Sequence, residues 1–335
     1  RASRLGKVSD AAVYSNVVKN GSLKRVIVDT PVMEKAIAHP TDSRLLERCR
    51  EHLVKAAALH ELKLRQSYHR EAPRLENQIG RYAHTKQCKR MKKVSRALRL
   101  RVGRVMRDVE LQPDGVAQQS RPALEDLISH TKRILSQKQK DKNNLYALHA
   151  PEVECLAKGK ARKLDEFGVK VSITTTHKEG LVVGARSMPG NPYGGHTPAE
   201  ALEQAAILSD VGPEIAAVDR SYKGVAIDGR MKVYHLGLRC GIRRGLRAMI
   251  RRHSAIEPAI GHMKADDKLD RNWLKGALGD AIHAVLCGAG HNLRMIFRKL
   301  AFFRSDSCRP AQSLGCRAGD GMMPQRKLNY SGTTN

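Results

Sequence analysis

Aromatic residues are scarce in this 335-residue chain, at 4% of the sequence with a single Trp. Platforms that stack the bases of single strands are built from such side chains, so an RRM-type reader is disfavoured. The seven cysteines, Cys49, Cys88, Cys155, Cys240, Cys287, Cys308 and Cys316, form no C-x-x-C pair and are odd in number. That pattern argues for reduced thiols rather than a disulfide framework or a zinc site. No run of about eighteen apolar residues occurs and no signal-like apolar segment opens the chain, which reads as a soluble, cytoplasmic protein with no membrane partner. H-E-x-x-H, G-x-S-x-G and a phosphate loop ending in Lys-Ser/Thr are all missing, so P-loop hydrolysis and serine acyl transfer have little support. His149, His177, His196 and His253 accordingly read as surface or turn residues rather than ligands.

Acidic residues are the other shortage. Against 61 Lys and Arg stand 33 Asp and Glu, a formal net charge of +28. A compact fold with this charge repels itself unless a polyanion neutralises it, and nucleic acid is the natural one. A solvated basic surface, a ribosomal protein or a membrane-surface protein are the blander alternatives. With few aromatics, duplex phosphates are the expected contact.

Hydrophobic residues supply 41% of the chain, enough for a core. Residues 23 to 30 (LKRVIVDT) read as a strand, followed by a helical block from about Ser43 to Lys140. Leu45, Leu46, Cys49, Leu53, Ala56 and Ala57 keep one helical face, and Val94, Leu98, Val102, Val105 and Val109 keep another. The exposed positions of the second stretch (KQCKRMKK, RALRLRVGR) are heavily basic and fit a solvated face or a phosphate-tracking one equally. QPDGVAQQSRP is a breaker-rich link. EFGVKVSITTT and GLVVGARSM, separated by HKE, predict an antiparallel hairpin. A turn cluster (PGNPYGGHT), a helix (TPAEALEQAAILSDV), the strand EIAAVD and shorter strands GVAIDG and KVYHL follow. The order implies an α/β or α+β domain around a mixed sheet. A closing helix over residues 279–300 places Ile282, Val285, Leu286, Ala289, Leu293, Ile296, Phe297 and Leu300 on one stripe expected to pack on the sheet. Beyond Arg304 periodicity is lost and disorder is expected.

Three acidic residues stand out. Asp29 and Asp219 each end an apolar, β-branched run, so each is either a turn former at a strand end or a displayed carboxylate. Glu257 has capping-box spacing from Ser254, but Pro258 favours a helix that starts at the proline and leaves Glu257 at its mouth. Lys264 follows seven residues later on the same helical face. Three such carboxylates have the ligand type that two hard divalent cations require for phosphoryl transfer.

Five stretches, VIVDTPVMEKAIAHPTDSRLLE, LYALHAPEVECLAKGKARKLDEFGVKVSITTT, GARSMPGNPYGGHTPAEALEQ, AAVDRSYKG and RRHSAIEPAIGHMKADDKLDRNWLKGALGDAIHAVLCGAGHNLR, closely resemble the DDE-class transposases of bacterial insertion sequences, in the insertion sequence five group. The resemblance spans roughly residues 23 to 303. It implies an RNase H-like core with a mixed sheet, made of a first strand within 23–42 and a remainder at 141–303, interrupted by an all-helical insertion over 43–140. A divergent N-terminal remnant (1–22) and a disordered tail (304–335) flank it. Asp29, Asp219 and Glu257 occupy the acidic positions and would hold two Mg²⁺ ions, with Mn²⁺ as a possible substitute. Lys264, together with the neighbouring Arg252 and Arg220, would meet DNA. The implied activity is metal-dependent strand cleavage and transfer on double-stranded DNA, at the element's terminal repeats and the target. A homo-oligomer on DNA and a place at the bacterial nucleoid follow from that mechanism. The sequence departs from the family at Pro31, Gly194, Ser221 and His253, and residues 1–22 do not match its N-terminal region. A truncated copy that only binds DNA is therefore the alternative expectation, and a nuclease without strand joining is the third.

Overall fold

The computed structural model describes residues 7, 11–12, 14, 18–112, 115–138, 141–157, 164–193, 197–209, 212–219, 231–235 and 243–307. It is a mixed α/β protein with a mixed seven-stranded sheet. The strands are β1 (Arg25–Asp29), β2 (Val32–Glu34), β3 (Glu154–Ala157), β4 (Asp165–Thr176), β5 (Val182–Met188), β6 (Ile215–Val218) and β7 (Lys232–His235). Four helices intervene between β2 and β3: α1 (Asp42–Leu59), α2 (Glu71–His84), α3 (Cys88–Glu110) and α4 (Arg121–Ser136). Helix α5 (Thr197–Ser209) precedes β6, and α6 (Arg244–Arg251), a 3-10 turn (Arg252–Ala255), α7 (Ile256–Asp267) and α8 (Gly276–Ser307) follow β7. The sheet and the helices up to Ile296 belong to the larger of two compact units, residues 1–296.

The predicted hairpin is the scaffold of the sheet. The twelve-residue β4 changes partners along its length: β3 and then β5 lie along one edge, β2 and then β1 along the other. Strands β1 and β2 keep one antiparallel register on it, with Asp29 opposite Ile173 and Val32 opposite Lys170. Pro31 interrupts them because it has no N–H for the ladder, while its carbonyl still accepts from Val171 N at 3.0 Å. The sequence signals nothing at β2 and β3. Three or four residues are too few to show alternation, and both become strands only by pairing with β4.

Gly168 lies where β2 and β3 both reach β4, opposite Glu34 and Glu154. A Cβ there would stand 2.0 Å from the Met33 carbonyl oxygen and 2.8 Å from Glu34 Cα. Gly168→Ala should therefore destabilise the fold by about 1–3 kcal/mol or more, the scale of overpacking against unyielding backbone. Urea titration tests this, and an unchanged midpoint would refute it.

Alternation along the strands builds two apolar layers. Ile27, Ile173 and Ala217 face Met249, Ile256, Ile260 and Met263 on one side of the sheet. Val26, Val28, Ala216 and Val218 face Ala201, Leu202 and Ala205 of α5 on the other. The two helical faces read from the sequence meet each other: Leu45, Leu46 and Cys49 pack with Leu98 and Val102, and Leu53 and Ala57 with Val105 and Val109.

Helix α8 packs differently from its predicted stripe. Val285, Ala289 and Ile296 do contact the core, but Leu286 and Leu293 are exposed. The buried face instead carries Asp280, His283, Cys287, His291 and Asn292. Asn292 explains why a polar face can be buried. Its amide accepts from Val182 N at 2.8 Å and donates to Val182 O at 2.7 Å, satisfying a backbone edge that an apolar residue would strand. The expected strand GVAIDG and residues 308–335 lie outside the described residues, as do Gly194, His196, Arg220 and Ser221.

Candidate active site

Asp29 and Asp219 come together through the sheet. Strands β1 and β6 are parallel neighbours, with Val28 paired to Val218, so the two aspartates follow at the carboxyl ends of adjacent strands. Such strand ends are where open α/β sheets present ligand-binding groups. Neighbouring strands run about 4.8 Å apart. Alternation puts Asp29 on the face of Ile27, and continuing it one residue beyond β6 puts Asp219 on the face of Ala217. That is the face covered by α6 and α7. Both aspartates are half-buried, and Asp29 Oδ1 accepts from Thr30 N at 2.7 Å.

Glu257 lies on α7, the helix that packs on this face. Ile256, Ala259, Ile260 and Met263 are the buried positions of that helix, an i, i+3, i+4, i+7 stripe seated on the sheet. Glu257, Gly261 and Lys264 run along an adjoining stripe, with Glu257 exposed and Lys264 half-buried. A Cβ on Gly261 would meet nothing within 4 Å, so the space between the carboxylate and the ammonium is open. The helix starts at Ile256, earlier than the proline-based expectation, and Glu257 lies in its first turn. Pro258 is tolerated there because first-turn N–H groups have no intrahelical acceptor. The capping box does not form, since Ser254 belongs to the preceding 3-10 turn and Ala255 is the N-cap.

Two of the histidines read as surface or turn residues do lie in turns, where each is tied to a neighbouring element. His253 is buried, with its Nε2 3.3 Å from Val28 O, which fastens the turn before Glu257 to the residue before Asp29. His177 Nε2 lies 3.1 Å from Met249 O and ties the β4–β5 turn to α6. Arg252, expected to meet DNA, is exposed, and its Nη2 donates to Lys178 O at 2.9 Å, reinforcing that junction. Burial holds the His177 imidazole below its ordinary value of 6.5, with the Arg252 and Arg25 charges adding to the effect against the Met249 carbonyl and Glu179. Because the folded value is depressed, this contribution is complete above pH 6.5 and is lost as pH falls through the folded value. The melting temperature should drop on acidification below pH 6.5, and drop less steeply in His177→Gln. Parallel profiles for the two proteins would refute this.

A further set of cations was not singled out in the sequence. Arg244, Arg247 and Arg251 follow i, i+3, i+7 spacing on the exposed side of α6, opposite the buried Met249 and Ile250, and line a shallow recess with Ala248. The string RRGLRAMIRR carries this periodicity, but short basic runs are ordinary in so cationic a chain.

Hard carboxylate oxygens on one sheet face are the donors that Mg²⁺ or Mn²⁺ prefers. Among the described residues, however, no three His, Cys, Asp or Glu side chains stand close enough to hold a metal ion. The fold thus puts Asp29 and Asp219 on the face that α7 covers and leaves Glu257 exposed in the first turn of that helix, without closing the three acids into a cluster. No helix among the described residues is long and apolar enough to cross a membrane.

No family model matches the chain, and no solved structure does. Over 78 residues, 23% of its length, the chain is 49% identical to the "Uncharacterized protein ORF8 in nfe locus" of Rhizobium meliloti. The match spans 38% of that relative, whose name states no activity.

Proposed function

We propose that this chain is the catalytic region of a DDE transposase, with an RNase H-like core interrupted by the helices α1–α4, acting on double-stranded DNA at the ends of an insertion sequence. The observation that carries the reading is the placement of Asp29 and Asp219 at the carboxyl ends of paired parallel strands, on the face covered by the helix that bears Glu257. Turn-forming aspartates at unrelated strand ends would not share an edge, a face and a covering helix.

In this reading Asp29, Asp219 and Glu257 would supply the oxygen ligands of two Mg²⁺ ions. When bound, such ions activate an attacking oxygen and stabilise the leaving one in an in-line displacement at phosphorus. The chain's own residues position the DNA. Arg244, Arg247 and Arg251 supply phosphate contacts from the exposed side of α6, and Lys264 meets a backbone phosphate across the open ground above Gly261. His253 acts indirectly, by holding the turn before Glu257 against β1. Synapsis of two ends requires a homo-oligomer on DNA.

The test is incubation of a labelled duplex carrying the element's terminal repeat with Mg²⁺, Mn²⁺ or EDTA. Metal-dependent nicking at the repeat boundary followed by joining supports the proposal. Nicking without joining would indicate a nuclease, and binding without nicking a DNA-binding remnant.

A further inference from the structure

Between Glu76 and Asp108 the chain has no acidic residue, while eleven positions are Lys or Arg. This stretch folds into the second half of α2, a tight turn and most of α3. The two helices join a shared core through Ile79 and Leu98, with Leu75, Met91 and Val94 packed against it. Burying that seam turns the cations outward: Arg81, Lys86, Lys89, Lys92, Lys93 and Arg96 are all exposed. The acidic partners of α3 engage it beyond this tip, Asp42 at Arg99 and Glu71 at Arg101.

A solvated helix face ordinarily intersperses carboxylates at i±4 positions, where each relieves the repulsion of its neighbours. Here seven exposed cations, Arg90 included, crowd one hairpin tip with no carboxylate among them, so charge complementarity calls for an external polyanion. Lys89, Lys93 and Arg96 recur at i, i+4 and i+7 on one face of α3, over about 10 Å of helix axis. A row of that length matches successive phosphates of a strand. Tyr82, the sole Phe, Tyr or Trp from Arg81 to Arg96, is half-buried, and its hydroxyl accepts from Gln78 Nε2 at 3.1 Å. The tip therefore offers no stacking platform for single-stranded bases. The large apolar side chains that the fold leaves exposed lie outside residues 81–96, so the tip has nothing to insert into a lipid surface.

We infer that the α2–α3 tip is a docking surface for the phosphate backbone of duplex DNA, built on elements other than those bearing the carboxylates. It rests on DNA being the partner of this chain and is independent of catalysis. Its contacts carry no base readout, so it tracks flanking duplex irrespective of sequence.

The test measures binding of the full chain to a fluorescent 30-base-pair duplex of arbitrary sequence between 50 and 300 mM NaCl. The quadruple variant Lys89→Ala, Lys92→Ala, Lys93→Ala, Arg96→Ala should flatten the dependence of log affinity on log salt by about 3–4, near 0.9 per lost phosphate contact. Its affinity at low salt should fall at least tenfold. A control quartet with the same loss of charge, Lys55→Ala, Lys63→Ala, Lys138→Ala, Lys142→Ala, should flatten the slope by less than one. The exposed thiol of Cys88 at the tip supplies a second readout: bound duplex should slow its alkylation, followed by peptide mass spectrometry. Equal effects of the two quartets, unchanged Cys88 alkylation, or tighter binding to single-stranded RNA or anionic phosphatidylserine vesicles would each overturn the inference. Metal-dependent nicking reports on the transposase reading separately, so loss of one result leaves the other standing.

Discussion

Asp219→Asn should reduce metal-dependent strand cleavage by at least about 10³-fold while leaving affinity for duplex DNA within a few-fold of the parent. The direction follows from where Asp219 sits. It follows a strand whose Val218 is paired with Val28, so the substitution keeps the backbone, the volume and the neighbouring packing but removes one anionic oxygen. A carboxylate that neutralises a cation at the reacting phosphate acts chiefly in the transition state, and loss of one such preorganised electrostatic group costs about 10²–10³ or more in rate. DNA affinity arises mainly from Lys and Arg contacts to phosphates and does not need this anion. Asp29→Asn and Glu257→Gln should behave alike, and their effects should not add, because in the proposed reading the three are ligands of one site and would fail as a unit. Single-turnover cleavage beside anisotropy titrations separates the two quantities. If Asp219→Asn cleaved normally, or lost DNA binding in proportion to cleavage, the assignment of this edge as the active site would fail.

The second large effect concerns stability. Lys35 ends the β2 region with its side chain buried, and its Nζ lies 2.6 Å from Asp280 Oδ1, 2.9 Å from Glu152 Oε1 and 2.6 Å from Leu274 O. Asn272 donates to Asp280 at 2.6 Å, and its backbone accepts from Ala36 N and donates to Glu34 O, each at 2.8 Å. One ammonium thus joins the segment after Asp29, the approach to β3 and the start of α8. Burial raises the Asp280 carboxyl above its ordinary value, against the Lys35 charge. Glu152 is also lifted by burial, yet ends below its ordinary value because it accepts from Lys35 and from the Gly276 N–H.

Lys35→Met removes the cation and leaves two carboxylates without it, which should cost about 3–5 kcal/mol, the scale for breaking a buried pair from one side. Adding Asp280→Asn should restore much of that loss. The asparagine carbonyl can still accept from Asn272, and only the less buried Glu152 remains to be rehydrated. Urea titrations of the parent, both single variants and the double variant give the coupling directly. A cost below about 1 kcal/mol for Lys35→Met would place the cluster with exposed ion pairs and sink the prediction.

Much of the frame was legible in the chain itself. The runs RVIV, VKVSITTT and IAAV are continuous and β-branched because their strands are covered on both faces, and the long i, i+3, i+4 patterns of α1 and α3 are what two facing helices must show. The three acids were also visible, through their positions after apolar runs, before a proline and within the stretches that resemble a transposase. These signals are local: they lie within a few residues of one another and record whether a segment is buried, paired or capped.

What only the tertiary structure decided depends on partners distant in sequence. Strands β2 and β3 exist because β4 offers each an edge. The buried side of α8 is set by Val182, 110 residues from Asn292, whose backbone groups an amide satisfies and a leucine would not. His253 becomes a buried tie because Val28 presents a carbonyl to it. Lys35, Glu152 and Asp280 look like surface charges until the fold closes around them. In each case the deciding energy is the cost of leaving a polar group unpaired away from water, and no local pattern encodes which remote residue will remove it.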